Sequence, residues 1–228
     1  MAEEKKDFVI AVSNNLYDST EIFNKKNIEF IREKEQLTYE YLAKINPKYV
    51  FFPHWSYIIP AKIYENFNCI IFHMTDLPFG RGGSPLQNLI ERGVKQTKIS
   101  AIKCVKELDG GDIYLKRDLD ISYGSAHEIY ARAGEIISEM IEEIIDKNPE
   151  PVPQIGEVVE FKRRKPEQSN IKYLNDIEKI YDYIRMLDAD GYPKAFLENN
   201  NLKFEFKNAR LDGDKIIANV EIKVKDYE

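Results

Sequence analysis

Buried-strand and amphipathic-helix patterns alternate along most of this chain. Continuous apolar runs, typical of strands buried on both faces, occur at 7–13, 28–31, 49–52, 69–72 and 99–105. Apolar residues at helical spacing predict helices at 37–45, 85–92, 129–145 and 176–187. Strands that alternate with helices indicate βαβ units. The pattern therefore predicts an α/β fold with a mostly parallel sheet and flanking helices.

One break in this pattern divides the chain. The segment 149–153 reads PEPVP, which ends the preceding helix and is typical of a linker. We therefore predict a larger domain at 1–150 and a small α+β region at 151–228. Strand-like runs at 202–206 and 215–224, separated by an Asp-Gly turn, predict that this region ends in a β-hairpin.

Composition and charge narrow the functional classes. The net charge is −6, so we expect no general attraction to nucleic acid or to anionic membranes. An apolar run of about 18 residues is absent, and the first residues lack the core of a signal peptide, so we expect a cytoplasmic protein. Cys69 and Cys104 lie within apolar runs, which predicts buried, reduced thiols rather than a zinc site.

The candidate chemistry lies at the ends of two predicted strands. His73 follows the apolar run 69–72, and Asp112 lies just past the run 99–105. Ligands of open α/β sheets bind beyond the carboxyl ends of strands, so these side chains can form one proton-handling pair. Two plainer roles stay open: a strand-end histidine bonded to backbone, and a turn carboxylate that caps nearby N–H groups.

The stretch 68–112 resembles the formyltransferases that use 10-formyltetrahydrofolate. The family pattern is Asn-x-His-x-Ser-x-Leu-Pro, Arg-Gly, a helix start with proline, and Asp-x-Gly-Asp. The matching residues here are His73, Thr75, Leu77, Pro78, Arg81, Gly82, Pro85, Gly93, Asp109, Gly111 and Asp112. The resemblance implies a Rossmann-like catalytic domain, 10-formyltetrahydrofolate as co-substrate and no metal. The chain departs from the pattern at Ile71, where the family has its catalytic Asn.

The resemblance also implies roles for the matched residues. His73 would accept the proton of the attacking amine, and Asp112 would hold its ring. Ile71 cannot donate a hydrogen bond to the oxyanion, so another donor is needed. His54, Thr75 and a backbone N–H are the candidates.

The resemblance assigns two sets of binding residues. One wall of the folate pocket would be the loop after the strand 49–52, and the other would be the acidic turn. The predicted folate contacts are Ser56, Tyr57, Ile58, Ile59, Pro60, Leu77, Leu108 and Asp109. The predicted contacts with the acceptor substrate are Trp55, Arg81, Gly82 and Tyr192.

The C-terminal region indicates a branch of the family. Arg-Lys-Pro-Glu at 164–167 and Tyr-Pro-Lys-Ala-Phe at 192–196 resemble segments of the sugar N-formyltransferases. Residues 156–228 carry 14 Lys+Arg and 15 Asp+Glu, a net charge of 14 − 15 = −1, which disfavours an RNA platform.

We therefore predict a nucleotide-linked amino sugar as acceptor. It would be a CMP-linked nonulosonic acid of the pseudaminic type or a dTDP- or UDP-linked 4-amino sugar, used for surface polysaccharide. The C-terminal region, rich in aromatic residues, can supply a homodimer interface. The alternatives are a methionyl-tRNA or purine-pathway formyltransferase, or a non-catalytic relative that binds folate or sugar.

Overall fold

The computed structural model describes residues 6–13 and 27–225. The strands are β1 Phe8–Val12, β2 Ile28–Ile31, β3 Tyr49–His54, β4 Cys69–His73, β5 Phe79–Gly82, β6 Gln96–Lys103, β7 Ile113–Asp120, β8 Val159–Phe161, β9 Ala195–Glu198, β10 Leu202–Asp212 and β11 Lys215–Val224. The α-helices are α1 Tyr39–Ile45, α2 Ala61–Tyr64, α3 Pro85–Glu91, α4 Ala126–Lys147 and α5 Ile177–Met186.

The main sheet has six strands in the order β2-β1-β3-β4-β6-β7. The first four are parallel to their neighbours, and β6 runs antiparallel to β4. Every residue of β1 is buried, as expected of a strand covered on both faces. The prediction of a Rossmann-like, mostly parallel sheet is confirmed.

The long helix α4 follows its sequence signals closely. Ser125 and Glu128 form a capping box: Ser125 N donates to Glu128 Oε2 at 2.7 Å, and Glu128 N donates to Ser125 Oγ at 3.3 Å. Its apolar stripe is buried at Ile129, Ala133, Ile137, Met140, Ile141 and Ile144. The stability of this helix therefore comes mainly from burying its apolar face rather than from intrinsic helix propensity.

Two strands form where the sequence pattern predicts none. β5 (FGRG) pairs with β8, and Val159 N donates to the Pro78 carbonyl at 3.3 Å. β7 has only one fully buried residue, Leu119, so it lacks the continuous apolar run of the other strands. The glycine-rich β5 becomes a strand because the distant β8 supplies its hydrogen bonds, and the half-polar β7 because it pairs with β6, the preceding strand of the chain.

The C-terminal strands form a separate sheet in the order β11-β10-β9. β10 and β11 are antiparallel, with Asp212 opposite Lys215 at the turn. The predicted C-terminal hairpin is therefore confirmed. The helix α5 before this sheet begins at an N-cap, where the Asp176 carboxylate accepts from Lys179 N at 2.8 Å.

The chain forms two compact units, each assembled from three separate segments. The first consists of residues 1–82, 98–119 and 131–160, and the second of residues 83–97, 120–130 and 161–228. The predicted domains, 1–150 and 151–228, are each one consecutive segment, whereas each compact unit combines three. The predicted domain boundary stays a prediction. None of the helices in the described part of the chain combines the length and apolar content that crossing a membrane requires.

Candidate active site

Two histidines end neighbouring strands of the main sheet. β3 and β4 are parallel, with Phe52 opposite Ile71. His54 and His73 each lie two residues further on and are the last residues of these strands. Neighbouring strands lie about 4.8 Å apart, so the two imidazoles stand at one edge of the sheet. His54 therefore ends the strand beside the one that His73 ends.

His73 is buried between two acceptors. Only 8% of the residue is exposed. Its Nε2 lies 2.8 Å from the carbonyl oxygen of Gly80, and its Nδ1 lies 3.5 Å from Oδ2 of Asp109. A carbonyl only accepts, so Nε2 carries a proton in this arrangement. The Asp109 carboxylate at 3.5 Å pairs with the ring as an ion pair when Nδ1 is protonated too. The ring is thus set up to hold and release a proton.

The carboxylate beside His73 is Asp109 rather than the predicted Asp112, and a catalytic role of Asp112 stays a prediction. Asp112 lies at the start of β7, and its backbone carbonyl accepts from Lys103 N at 2.8 Å. Asp109 is 8% exposed and has φ 51°, a left-handed conformation that Asp tolerates better than most residues. That turn geometry decides which of the two acidic side chains faces the histidine.

The acidic turn is held closely against the end of β6. A Cβ on Gly111 would lie 1.8 Å from the Lys103 carbonyl oxygen, so no side chain fits there. Asp109 Oδ2 accepts a second contact, from Gly82 N at 2.9 Å. Gly82, a predicted contact of the acceptor substrate, thus donates a hydrogen bond to this carboxylate through its backbone N–H. Its contact with the substrate stays a prediction.

Gln154 ties the turn to Arg81, and sequence reasoning missed it. Its Nε2 donates to the carbonyl oxygens of Asp109 and Gly111, both at 2.8 Å. Its Oε1 accepts from Arg81 Nε at 3.1 Å and Nη2 at 2.8 Å. Arg81 also forms an ion pair with Glu107. This guanidinium is engaged within the chain, and its predicted substrate contact stays a prediction. A polar residue inside the linker PEPVPQ was the available signal.

The other oxyanion candidates differ in what they offer. Ile71 is half-buried and packs against the apolar core, so it contributes no hydrogen. Thr75 is fully buried, and its hydroxyl donates to the Gly80 carbonyl at 3.4 Å. His54 is half-buried, and desolvation lowers the pKa of its ring, which favours a neutral imidazole with one N–H to donate. Which of the two serves as the oxyanion donor stays a prediction.

The loop after β3 has a mixed surface. Tyr57 is 44% exposed and Ile58 is 92% exposed. Ser56, Ile59 and Pro60 complete the predicted folate contacts of this loop, while Leu77 is buried and Leu108 is 70% exposed. Leu77 thus has little surface for a ligand.

Trp55 is half-buried between Phe52 and Tyr57, with ring centroids at 6.1 Å and 5.3 Å. Its Nε1 is buried without a hydrogen-bond partner, which is uncommon for an indole. This N–H is a donor that a ligand acceptor would satisfy.

Ser13 anchors the same loop and was missed in the sequence. Its hydroxyl donates to the His54 carbonyl at 3.0 Å and accepts from Ser56 N at 2.8 Å. The available signal was its place: a polar residue directly after the buried strand β1, like His73 after its apolar run.

The remaining predicted contact, Tyr192, lies in the second compact unit. It stacks on Tyr130 with centroids at 5.6 Å, and the Tyr130 hydroxyl donates to the Tyr192 hydroxyl at 2.7 Å. Cys69 and Cys104 are buried free thiols, as predicted, and burial raises the pKa of Cys104 to about 11. Within residues 6–13 and 27–225, no three His, Cys, Asp or Glu side chains come together as a metal site.

Comparison with known proteins decides the family. A model described as "Formyl transferase" matches residues 2–144, and one described as "Methionyl-tRNA formyltransferase, C-terminal domain" matches residues 166–223. The chain belongs to the formyl transferase family. Its predicted family membership is therefore confirmed.

Individual relatives refine this picture. Methionyl-tRNA formyltransferase of Bacillus cytotoxicus is 30% identical over 174 residues, which cover 73% of this chain and 55% of the relative. The chain thus spans about half the length of that relative. A solved structure, methionyl-tRNA formyltransferase from Clostridium thermocellum, is 52% identical, with a TM-score of 0.93, and covers 96% of this chain and 100% of its own. A 4-N formyltransferase from Francisella tularensis shares the fold at 15% identity, with a TM-score of 0.65 and coverage of 98% and 99%.

These relatives correct the predicted acceptor. The sugar branch, with its pseudaminic-type or 4-amino sugar substrates, was the wrong choice, because the relatives at 30% and 52% identity bear the name methionyl-tRNA formyltransferase. Of the two short segments that suggested sugars, 192–196 lies within the region that matches a methionyl-tRNA formyltransferase model, and 164–167 overlaps its start. The expectation of no nucleic-acid partner rested on net charge alone and stays a prediction. Net charge averages over a surface and does not exclude a local basic patch.

The Gln154 network gives a testable prediction. We expect Gln154→Glu to lower the turnover of formyl transfer by roughly tenfold or more, because a carboxylate would face two carbonyl oxygens and lose both N–H donors. Turnover is compared with the melting temperature of the same variant. Gln96→Glu, on an exposed residue, is the matched control and should leave both unchanged. Equal turnover in the two variants would show that Gln154 does not position the turn.

Proposed function

We propose that this chain transfers a formyl group from 10-formyltetrahydrofolate to the amine of methionyl-tRNA. The observation that carries the formyl-transfer part is the buried pair of His73 and Asp109 at the end of β4, in a chain of the formyl transferase family. The acceptor is supported by the match of residues 166–223 and by the relative at 52% identity.

The reaction requires one proton to move and one charge to be stabilised. The amine nitrogen attacks the formyl carbon, and its new N–C bond turns the carbonyl oxygen into an oxyanion. The C–N10 bond to the folate then breaks, and N10 leaves with the electron pair and a proton. The proton lost by the amine and gained by N10 passes through one basic group, and His73 is the group placed for this.

Each ring nitrogen of His73 has its own neighbour: the Asp109 carboxylate lies beside Nδ1, and the Gly80 carbonyl lies beside Nε2. In the tautomer that acts as the base, Nδ1 carries the proton and faces the Asp109 carboxylate, which orients the ring and stabilises the imidazolium as in triad-type sites. Nε2 then accepts the amine proton, and its contact with the Gly80 carbonyl, which needs a proton on Nε2, is given up. Nε2 lies 2.8 Å from the Gly80 carbonyl, so an amine reaches it by replacing that carbonyl as partner. Gly80 and Gly82 have φ values of 81° and 104°, so the strand bearing this carbonyl uses backbone conformations open mainly to glycine.

The loop after β3 is suited to a flat ligand with hydrogen-bond acceptors. The unpartnered Trp55 N–H supplies a donor, and the exposed Tyr57 and Ile58 supply apolar surface. A pterin ring presents both an aromatic face and acceptor atoms. These residues therefore fit the folate side of the reaction, in line with the prediction for Ser56 to Pro60.

A local basic cluster offers contacts for RNA. Lys162, Arg163 and Lys165 are exposed, whereas Arg164 is half-buried and forms an ion pair with Glu91. Three exposed cations within four residues suit phosphate groups even on a chain with a net charge of −6. Replacing all three by Gln should therefore weaken RNA binding and flatten its salt dependence.

The test uses the purified chain, 10-formyltetrahydrofolate and charged initiator methionyl-tRNA. Formylmethionine, released by mild base and scored by mass, is the expected product. Formylation of an amine other than methionyl-tRNA would overturn the acceptor and keep the reaction class. Tetrahydrofolate binding by calorimetry without transfer to any amine would identify a non-catalytic binding protein instead. A His73→Asn sample controls for contaminating enzyme.

The oxyanion donor gives a second prediction. We expect His54→Ala to lower turnover by roughly 10²-fold, the usual cost of losing one such donor. Ile71→Asn on the His54→Ala background should recover part of this loss, because an amide would then share the strand face of His73. Single-turnover rates at saturating folate provide the measurement. A silent His54→Ala would instead assign the donor to Thr75 or a backbone N–H.

A further inference from the structure

The strand β11 lies at the edge of the C-terminal sheet with an unpaired side. Its inner side pairs with β10, and the sheet order places no described strand beyond it. Lys225 N donates to the Asn201 carbonyl at 2.9 Å, just past the last pair of the ladder, Leu202 with Val224. Since backbone groups alternate between the two sides of a strand, those of every second residue point away from β10. These residues include Val220, Ile222 and Val224.

The same three residues form an exposed apolar row. Val220, Ile222 and Val224 are 48%, 59% and 72% exposed. They stand opposite Phe206, Phe204 and Leu202 of β10, respectively, and share one face of the sheet with them. A long edge strand with an apolar row and no proline is a template for pairing with another strand.

The sequence of this row is complementary to itself. Residues 220–224 read Val-Glu-Ile-Lys-Val. In an antiparallel copy centred on Ile222, Val220 lies opposite Val224, and Glu221 lies opposite Lys223. Both apolar and charged pairs are then favourable. A shift of the centre by one residue instead brings Glu221 against Glu221 or Lys223 against Lys223, and like charges directly opposite are destabilising.

We infer that two copies of this chain pair along β11 around a twofold axis at Ile222. The outward N–H and C=O groups of Ile222 bond to those of its own copy, and Val220 exchanges two hydrogen bonds with Val224 of the other chain. The two three-stranded sheets become one continuous sheet, and the interface uses the same patch of both chains, as a twofold dimer requires. Formyl transfer at the His73 site does not depend on this pairing.

Sedimentation of the full chain tests the association. We expect a mass of two chains for the natural sequence and of one chain for Ile222→Lys, which places two ammonium groups across the axis. Ile217→Lys is the matched control: Ile217 is 40% exposed on the same strand but lies five residues from the axis. It should leave the dimer intact. Circular dichroism confirms that each variant is folded.

Disulfide cross-linking tests the register. The Cα atoms of a hydrogen-bonded antiparallel pair lie about 5.5 Å apart, within the range that a disulfide spans. Oxidised Ile222→Cys should therefore yield covalent dimers. Val220→Cys and Val224→Cys should cross-link when mixed and not when alone. The natural Cys69 and Cys104 are buried and do not compete.

Three outcomes would overturn the inference. A natural chain with the mass of one copy up to its highest soluble concentration would exclude the dimer. A dimer that survives Ile222→Lys would place the interface elsewhere. Val220→Cys chains that cross-link alone as readily as in the mixture would exclude this antiparallel register.

Discussion

Replacing His73 by Asn is expected to lower the rate of formyl transfer by at least about 10²–10⁴-fold, the usual contribution of a positioned acid–base group. Asn keeps a polar side chain of similar size at the end of β4 but cannot take up a proton. Single-turnover rates at saturating co-substrates give the effect on chemistry alone. Tetrahydrofolate affinity, measured by calorimetry, should change little, because His73 handles a proton and does not bind the pterin.

The contrasting result for His73 would be a purely structural effect. A strand-end histidine bonded to the Gly80 carbonyl can also stabilise the turn it contacts. In that case the His73→Asn variant would lose thermal stability and keep most of its turnover at a temperature where it is folded. A melting curve recorded for the same sample separates the two results.

The second large effect concerns the choice between two carboxylates. We expect Asp109→Asn to lower turnover by roughly 10³–10⁴-fold, close to the cost of the corresponding change in triad-type enzymes. An amide at this position removes the negative charge 3.5 Å from Nδ1 of His73. Asp112→Asn serves as the matched control, because it makes the same chemical change three residues along the same turn. It should stay within a few-fold of the natural chain.

A pH profile of turnover sharpens the comparison between the two carboxylates. If Asp109 acts by stabilising the imidazolium of His73, Asp109→Asn should change the shape of the pH profile of turnover as well as the maximal turnover. Asp112→Asn should leave the profile unchanged. If Asp112→Asn lost most of its turnover while Asp109→Asn kept that of the natural chain, the catalytic carboxylate would be Asp112. A catalytic role of the observed His73–Asp109 pair would then be excluded.

The sequence was sufficient for most of the architecture. The buried runs at β1, β3 and β4 are apolar on both faces, and the stripe of α4 repeats at helical spacing, so local pattern and tertiary environment agree. It was not sufficient for β5 and β7. Their residues are glycine-rich or half-polar, and hydrogen bonds to the neighbouring strands β8 and β6, rather than their own pattern, decide their conformation.

In the active site too, some features follow from the local sequence pattern and others only from tertiary contacts. The sequence by itself placed His73 and His54 close to strand ends, because the ends of the apolar runs mark where strands end. It could not choose between Asp109 and Asp112, since that choice depends on a left-handed turn, on the clash that forbids a side chain at Gly111, and on Gln154, some forty residues away along the chain. Which side chain faces a histidine is set by backbone geometry that distant contacts hold in place, and only the tertiary structure contains those contacts.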